Sequence, residues 1–257
     1  IRWERSTEYP MLPIDLFRNM GFTMGLVAIS LAFFVMFSFM FTQMLHFQLV
    51  RGHTALQAAI RFLPLPLGLM PAAANSDKFV AKFGSNNVVA TGLTLITAGM
   101  LLFTTVEIDT DYVRIAVTFF MLGLGMGLTM APSTTLVMES IPEDKAGVGS
   151  ATNDASREVG GALGIAIGGS VLNEYYQRNL AVPEGLESFG SVLTESFPAA
   201  MRIGADLIAG GNPLGAELIM NARLAFMDGM VGSAMVSAGI ALTTAILVKL
   251  YMPGKTE

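Results

Sequence analysis

Residues 147–172 read GVGSATNDASREVGGALGIAIGGSVL, and the way this stretch is divided decides the fold. Its second half, Val159 to Leu172, is uncharged but only fourteen residues long, short of the roughly 20 an α-helix needs to cross a bilayer. A spanning helix must therefore borrow residues from one end. Extended back to about Ala151, it draws Asp154, Arg157 and Glu158 into the membrane's inner third. A bare charge there costs about 2.5–3.5 kcal/mol and persists only if it pairs or faces water. That reading predicts a cavity. Extended outward to Tyr176 instead, the helix leaves the three charges among solvated headgroups.

Steps of three and four residues put Asp154, Arg157 and Glu158 within about a third of the helix circumference, where Arg157 can reach either carboxylate. Beside Arg157 runs a second stripe, Gly160, Gly164 and Gly168. A small residue at every fourth position lets another helix approach closely in lipid. One face is thus expected to pack while its neighbour carries charge.

The rest of the chain fits this setting. Hydrophobic residues make up 53% and charged ones 14%, against about 25% charged in soluble domains. The class expected is an all-α membrane protein, with the lipid bilayer as its first partner. The net charge of −5 is modest and the Lys and Arg are scattered, so nucleic acid is not an expected partner. No cysteine is present, which excludes disulfides and thiolate metal sites. The opening Ile-Arg-Trp, followed by Glu4, Arg5 and Glu8, reads as the end of a cytoplasmic linker, 1–18, in a chain whose beginning lies elsewhere.

Six spans are expected, at about 19–45, 55–75, 87–106, 113–138, 150–173 and 227–249, with an outer loop at 174–222 and a cytoplasmic tail at 251–257. The first run is uncharged from Asn19 to Leu45 and holds Phe33, Phe34, Phe37, Phe39 and Phe41 beside Met36, Met40, Met44 and Ser38. Flexible, polarizable Met beside aromatic faces suits a pocket for varied apolar molecules, with Phe34, Phe37, Ser38 and Phe41 as candidate lining. Contact with lipid or neighbouring helices is the competing use.

The second run must include Arg61 to reach spanning length, and Pro64, Pro66 and Pro71 follow it. Each proline removes a backbone donor, so this helix should bend or partly unwind. Arg61 either lines the cavity or snorkels to the outer surface. A short basic loop, 76–87, carries Asp77, Lys78, Lys82 and Gly84. In the fourth run Gly123, Gly127 and Ala131 repeat at four-residue spacing and Pro132 should kink the helix. Gly123-Leu-Gly-Met-Gly127 is not a nucleotide-binding loop, because no strand precedes it. The 174–222 segment is too polar and Gly-rich to span, and weakly amphipathic around Phe197 to Ile208, as a surface helix or hairpin would be.

Six spans put both ends on one side. That side carries Arg2, Arg5, Arg18, Lys78, Lys82, Lys145, Lys249 and Lys255, and the other carries Arg51, Arg114, Arg178, Arg202 and Arg223. The bias places both ends in the cytoplasm.

The 147–172 stretch, Gln48-Leu-Val-Arg-Gly52, Arg61-Phe-Leu-Pro64, Lys82-Phe-Gly84 and Gly123-x-Gly-x-Gly127 together resemble the C-terminal half of a major facilitator superfamily transporter. The similarity is closest to the fourteen-span branch of bacterial drug:proton antiporters and covers roughly Met11 to Glu174 and the last span. Asn153, Arg157, Gly160, Gly161 and Gly164 match that branch's Asn-x-x-x-Arg-x-x-Gly-Gly-x-x-Gly pattern. The family's gating motif is matched only at Lys82 and Gly84; Ala81 stands in place of the usual acid, with Asp77 four residues earlier, and Ala59 replaces a common glycine. The resemblance implies a six-helix bundle of 3+3 inverted repeats around a central cavity. It also implies a bacterial inner-membrane location, an N-terminal transporter half as partner, and Asn153 in the cavity. Exporters of lipophilic cations in this branch carry acids at the positions of Asp154 and Glu158, so small lipophilic cations are the implied substrates.

The coupling expected needs no cofactor beyond a proton gradient. Arg157 neutralises one carboxylate and leaves the other free, and a free acid in a partly desolvated cavity can bind a proton or a cation but not both. Asp154 is the expected exchangeable acid, Arg157 its positioning partner and Glu158 the secondary acid. An intramembrane enzyme would need a base within the membrane, yet the only histidines, His46 and His53, stand at the outer end of the first hairpin. A non-transporting membrane subunit or sensor, or an exporter of a neutral or anionic metabolite, are the alternative functions.

Overall fold

The computed structural model describes residues 14–254, and no strand occurs among them. Nine α-helices follow a short 3-10 turn: α1 Met20–Leu45, α2 Ala55–Arg61, α3 Pro64–Phe83, α4 Ser85–Phe103, α5 Tyr112–Glu139, α6 Ala146–Asn179, α7 Gly190–Glu195, α8 Phe197–Ala209 and α9 Leu214–Tyr251. Most of the expected linker and the last three tail residues, including Arg2, Arg5 and Lys255, lie outside the described residues.

Local chemistry sets the element ends. Asn19 caps α1 by accepting from the backbone N–H of Gly21 (2.8 Å), satisfying a donor that has no partner within the helix. The other end of α1 widens into a π-helical turn, His46–Val50, and the chain reverses through Gly52 at φ 67°. Thr54 and Gln57 then form a capping box that starts α2.

The proline run acts as its chemistry requires. Pro64 and Pro66 offer no N–H to the carbonyls of Ile60 and Phe62, which accept instead from Leu63 (3.1 Å) and Leu65 (3.0 Å). The helix therefore breaks at Phe62–Leu63, between α2 and α3. Tyr112 Oη donates to the freed carbonyl of Arg61 at 2.9 Å, so a tyrosine from α5 completes the break.

Four helices or helix pairs are long and apolar enough to cross a membrane alongside α1: Ala55–Phe83 (α2 with α3), α4, α5 and α9. The sixth long helix, α6, is too polar to meet that measure, yet it lies between α1 and α9. At 34 residues it covers both of the extensions open to it, inward and outward.

Several boundaries differ from the expected ones. Residues 76–83 are not loop but the last two turns of α3, and the chain turns only at Gly84, at φ 85°. The outer connection is shorter than 174–222, because α6 continues to Asn179 and α9 begins at Leu214. Within it, α8 and the start of α9 form a helical hairpin in which Gly204 and Gly215 bring the backbones together. The amphipathic stretch at Phe197 to Ile208 is the helix α8, whereas the outer extensions of α6 and α9 were invisible as helix because polar residues such as Glu174, Arg178 and Glu217 end the apolar run well before they end the helix.

The core holds a cluster of aromatic rings. Phe39 of α1 meets Phe103 at 4.9 Å and Phe119 at 5.2 Å, and Phe62 meets Phe119 at 4.8 Å, in tilted and edge-on contacts that suit the ring quadrupoles. Glycine supplies the close approaches elsewhere. Gly123 and Gly127 of α5 face the carbonyls of Leu65 and Leu69, so a Cβ at either would overlap α3.

Candidate functional site

The site is built on the contact between α1 and α6. Gly160, Gly164 and Gly168 lie against the Ser30 carbonyl, the Phe34 carbonyl and the Ser38 side chain. The two helices therefore run parallel with a constant offset, residue n of α6 level with residue n − 130 of α1. By that offset Asp154 is level with Met24 and Glu158 with Ala28.

The offset gives the depth of each charge. The uncharged run from Asn19 to Leu45 is about 40 Å long at 1.5 Å per residue, and about 30 Å of it fits the hydrocarbon core. Were the run centred in a bilayer, Glu158 would lie about 8 Å inside the boundary and Asp154 about 3 Å inside it. Glu158 is the deeper acid.

Arg157 is the fixed member of the group. It contacts Asp154 (Nη1 to Oδ1, 3.4 Å), donates from Nη2 to Thr134 Oγ1 of α5 (3.2 Å), and lies 5.7 Å from the centre of the Phe33 ring. Its side chain is 26% exposed against 66% for Asp154, so the arginine is held inside the bundle and the aspartate reaches outward. Glu158 makes no ion pair among the described residues. Asn153 is buried at the α6 packing face, with its side-chain oxygen unpartnered.

A cavity of about 200 Å³ opens beside this group, lined by Phe33, Phe37, Arg157, Glu158, Gly161, Ala162 and Ile165. A larger one, about 440 Å³, lies further out on the same two helices, with Phe41, Leu45, Ile165 and Ser170 in its wall and Glu195 and Phe197 over its outer end. Ile165 belongs to both. The two hollows follow one aromatic groove outward, with an arginine and an unpaired carboxylate at its inner end.

The structure thus brings together Arg157, Glu158 and Phe37, with Asp154 at the rim and Phe41 further out. It places other candidates elsewhere. Phe34 and Ser38 are buried in packing, Ser38 Oγ lying 3.3 Å from Ser233 Oγ of α9. Arg61 does not line the cavity: it ends α2, donates to the Gln57 carbonyl (2.9 Å) and lies 5.8 Å from the Tyr112 ring centre. Asp77, Lys78 and Lys82 are exposed on the last turns of α3, with Gly84 at the turn beyond them. Thr134 and Phe33 were missed. Thr134 was legible only as a polar residue inside an apolar run, and nothing in the sequence pairs it with Arg157.

A bundle of apolar helices that carries a fixed arginine and a free carboxylate into an aromatic groove is the core of a membrane transporter. The Major Facilitator Superfamily pattern matches residues 4–165, and the chain belongs to that family, a family of transporters and not of enzymes. It is 30% identical over 250 residues to the multidrug efflux pump LfrA of Mycolicibacterium smegmatis, covering 96% of this chain and 49% of that protein. It is 27% identical over 172 residues to the tetracenomycin C resistance and export protein of Streptomyces glaucescens (67% and 32%). With the multidrug resistance protein Stp of Mycobacterium tuberculosis it shares 26% over 190 residues (72% and 35%). The chain spans about half the length of the first of these relatives and about a third of the others.

Proposed function

We propose that this chain is the C-terminal six-helix half of a proton-coupled multidrug exporter, completed by an N-terminal half across the groove. In this reading it lies in a bacterial inner membrane with both ends cytoplasmic, and exports lipophilic cations. Three relatives whose names describe export or multidrug resistance support the exporter. The observation that carries the coupling is the division of labour around Arg157. Asp154 and Thr134 hold the guanidinium, while Glu158 faces the cavity unpaired.

This reverses the roles expected for the two acids. Glu158 becomes the exchangeable carboxylate and Asp154 the residue that fixes Arg157. A lipophilic cation entering beside Phe33 and Phe37 gains from the ring faces and from the Glu158 carboxylate. A proton on that carboxylate removes the second attraction, so each ligand displaces the other. Competition at one site is sufficient for antiport.

The test is proton release from the protein joined to its N-terminal half, in weakly buffered detergent, on addition of tetraphenylphosphonium. Release should be present in the native protein and in Asp154→Asn, and absent in Glu158→Gln. Release that survived Glu158→Gln and vanished in Asp154→Asn would restore the opposite assignment. No release from the native protein with any cation would overturn the cationic substrate.

A further inference from the structure

Away from the groove, two further hollows flank the inner half of α4. One, of about 330 Å³, lies against α3 and α5 and is lined by Phe79, Phe83, Asn87, Val88, Thr91 and Leu128. The other, of about 490 Å³, lies against α9, with Ala90, Thr94, Leu242, Ile246 and Lys249 in its wall. Asn87 and Thr91 belong to both, so the hollows fork from a common mouth. No acidic residue lines either one.

Asn87 and Lys249 line the mouth, and Lys82 stands beside Phe83, outside the lining of either hollow. Lys249 Nζ donates to Asn87 Oδ1 at the fork, and Lys82 Nζ lies 5.1 Å from the centre of the Phe83 ring that walls the other branch. The chain beyond α9 holds these parts together, because Ser85 N donates to the Gly254 carbonyl at 2.7 Å and Gly84 packs against the same group. From the mouth the branch along α9 runs from Lys249 to Leu242, about 10 Å of helix, most of the roughly 15 Å depth of one leaflet. Phe83, Ile246 and Leu250 around the branches are half or more exposed, apolar surface that suits hydrocarbon better than water.

We propose that this fork is a binding site for one anionic phospholipid. Its headgroup phosphate sits between Lys249 and Lys82, beside Asn87, whose Nδ2 donates to the Phe83 carbonyl (2.7 Å), and its two acyl chains lie in the branches on either side of α4. A pair of apolar channels that diverge from one cationic point matches a two-chained anionic amphiphile in shape and in charge. A helix from a second protein would fill one branch and leave the lysines unneutralised. The site is independent of the transport groove, and it occupies the leaflet on the side where α9 ends.

Native mass spectrometry tests it, on protein released from vesicles containing equal parts of phosphatidylglycerol and phosphatidylcholine. The native protein should retain phosphatidylglycerol in preference. Lys249→Gln and Lys82→Gln should each lower that preference by about fivefold, the factor expected for one basic side chain at an anionic surface. Thr94→Trp, which fills the branch against α9 from an exposed position, should lower retention of both lipids while leaving the helical content unchanged. Equal retention of the two lipids by the native protein, an unchanged preference in the double lysine variant, or a lipid-free dimer would each overturn the proposal.

Discussion

Arg157 and Thr134 join two helices that are otherwise weakly connected: the guanidinium of α6 donates to the hydroxyl of α5 across 3.2 Å. The same guanidinium contacts Asp154 from a different nitrogen at 3.4 Å. Two partners on one planar fork fix both the reach and the tilt of the side chain.

Arg157→Lys is therefore not a conservative change. A lysine keeps the charge but cannot address Thr134 and Asp154 from separate, fixed nitrogens. Loss of one hydrogen bond to a charged group, about 1.5–3 kcal/mol, should lower cation-stimulated proton release at least tenfold while the protein remains folded. Stopped-flow pH measurements on the variant check this, and release at the native level would show that charge alone is sufficient.

Two glycine substitutions should move stability in opposite directions. A Cβ at Gly160 would overlap the Ser30 carbonyl, whereas nothing lies within 4 Å of one at Gly239 of α9. Gly160→Ala should cost about 1–3 kcal/mol, as overpacking does when backbone must yield. Gly239→Ala should stabilise by about 0.5–1 kcal/mol through helix propensity. Thermal unfolding of the two variants in one detergent decides the matter, and equal shifts would contradict the α1–α6 contact.

Gly84 has a backbone reason for being glycine. Its φ of 85° with ψ of 152° is a conformation almost closed to L side chains, at about 1–3 kcal/mol, and a Cβ there would also crowd the Gly254 carbonyl. Gly84→Ala should lower the unfolding midpoint and speed hydrogen exchange at Ser85, whose N–H is bonded to Gly254. Unchanged exchange at Ser85 would show that the turn tolerates a side chain.

What could be read in the sequence was whatever the bilayer itself enforces. The uncharged run at 19–45 marks α1 almost to the residue, since lipid tolerates no charge there, and the Pro64–Pro71 cluster announced a break because a missing N–H acts wherever it occurs. The glycines at four-residue spacing named a packing face, although not which helix would occupy it. Helix ends outside the lipid were hidden, because hydropathy measures where a helix is dry and not where it stops; hence the extra turns of α3, α6 and α9. Within the site, the sequence placed Asp154, Arg157 and Glu158 on one face. It favoured Asp154 as the exchangeable acid, whereas the proposal of Glu158 draws on Thr134, a residue from another helix that the sequence does not pair with Arg157.

The α1–α6 contact also constrains how the groove can work. Gly160 and Gly164 meet the α1 backbone and Gly168 the short Ser38 side chain, with no long side chains between the helices to repack, so the pair is built to turn as one body. Phe33 and Phe37 ride on one member, Arg157 and Glu158 on the other, and their spacing is the same whichever way the bundle is open. The acid thus keeps constant company on its own side. In the proposed antiport, whatever makes Glu158 take a proton in one state and release it in another would have to arrive from across the groove, as water or as the opposite wall.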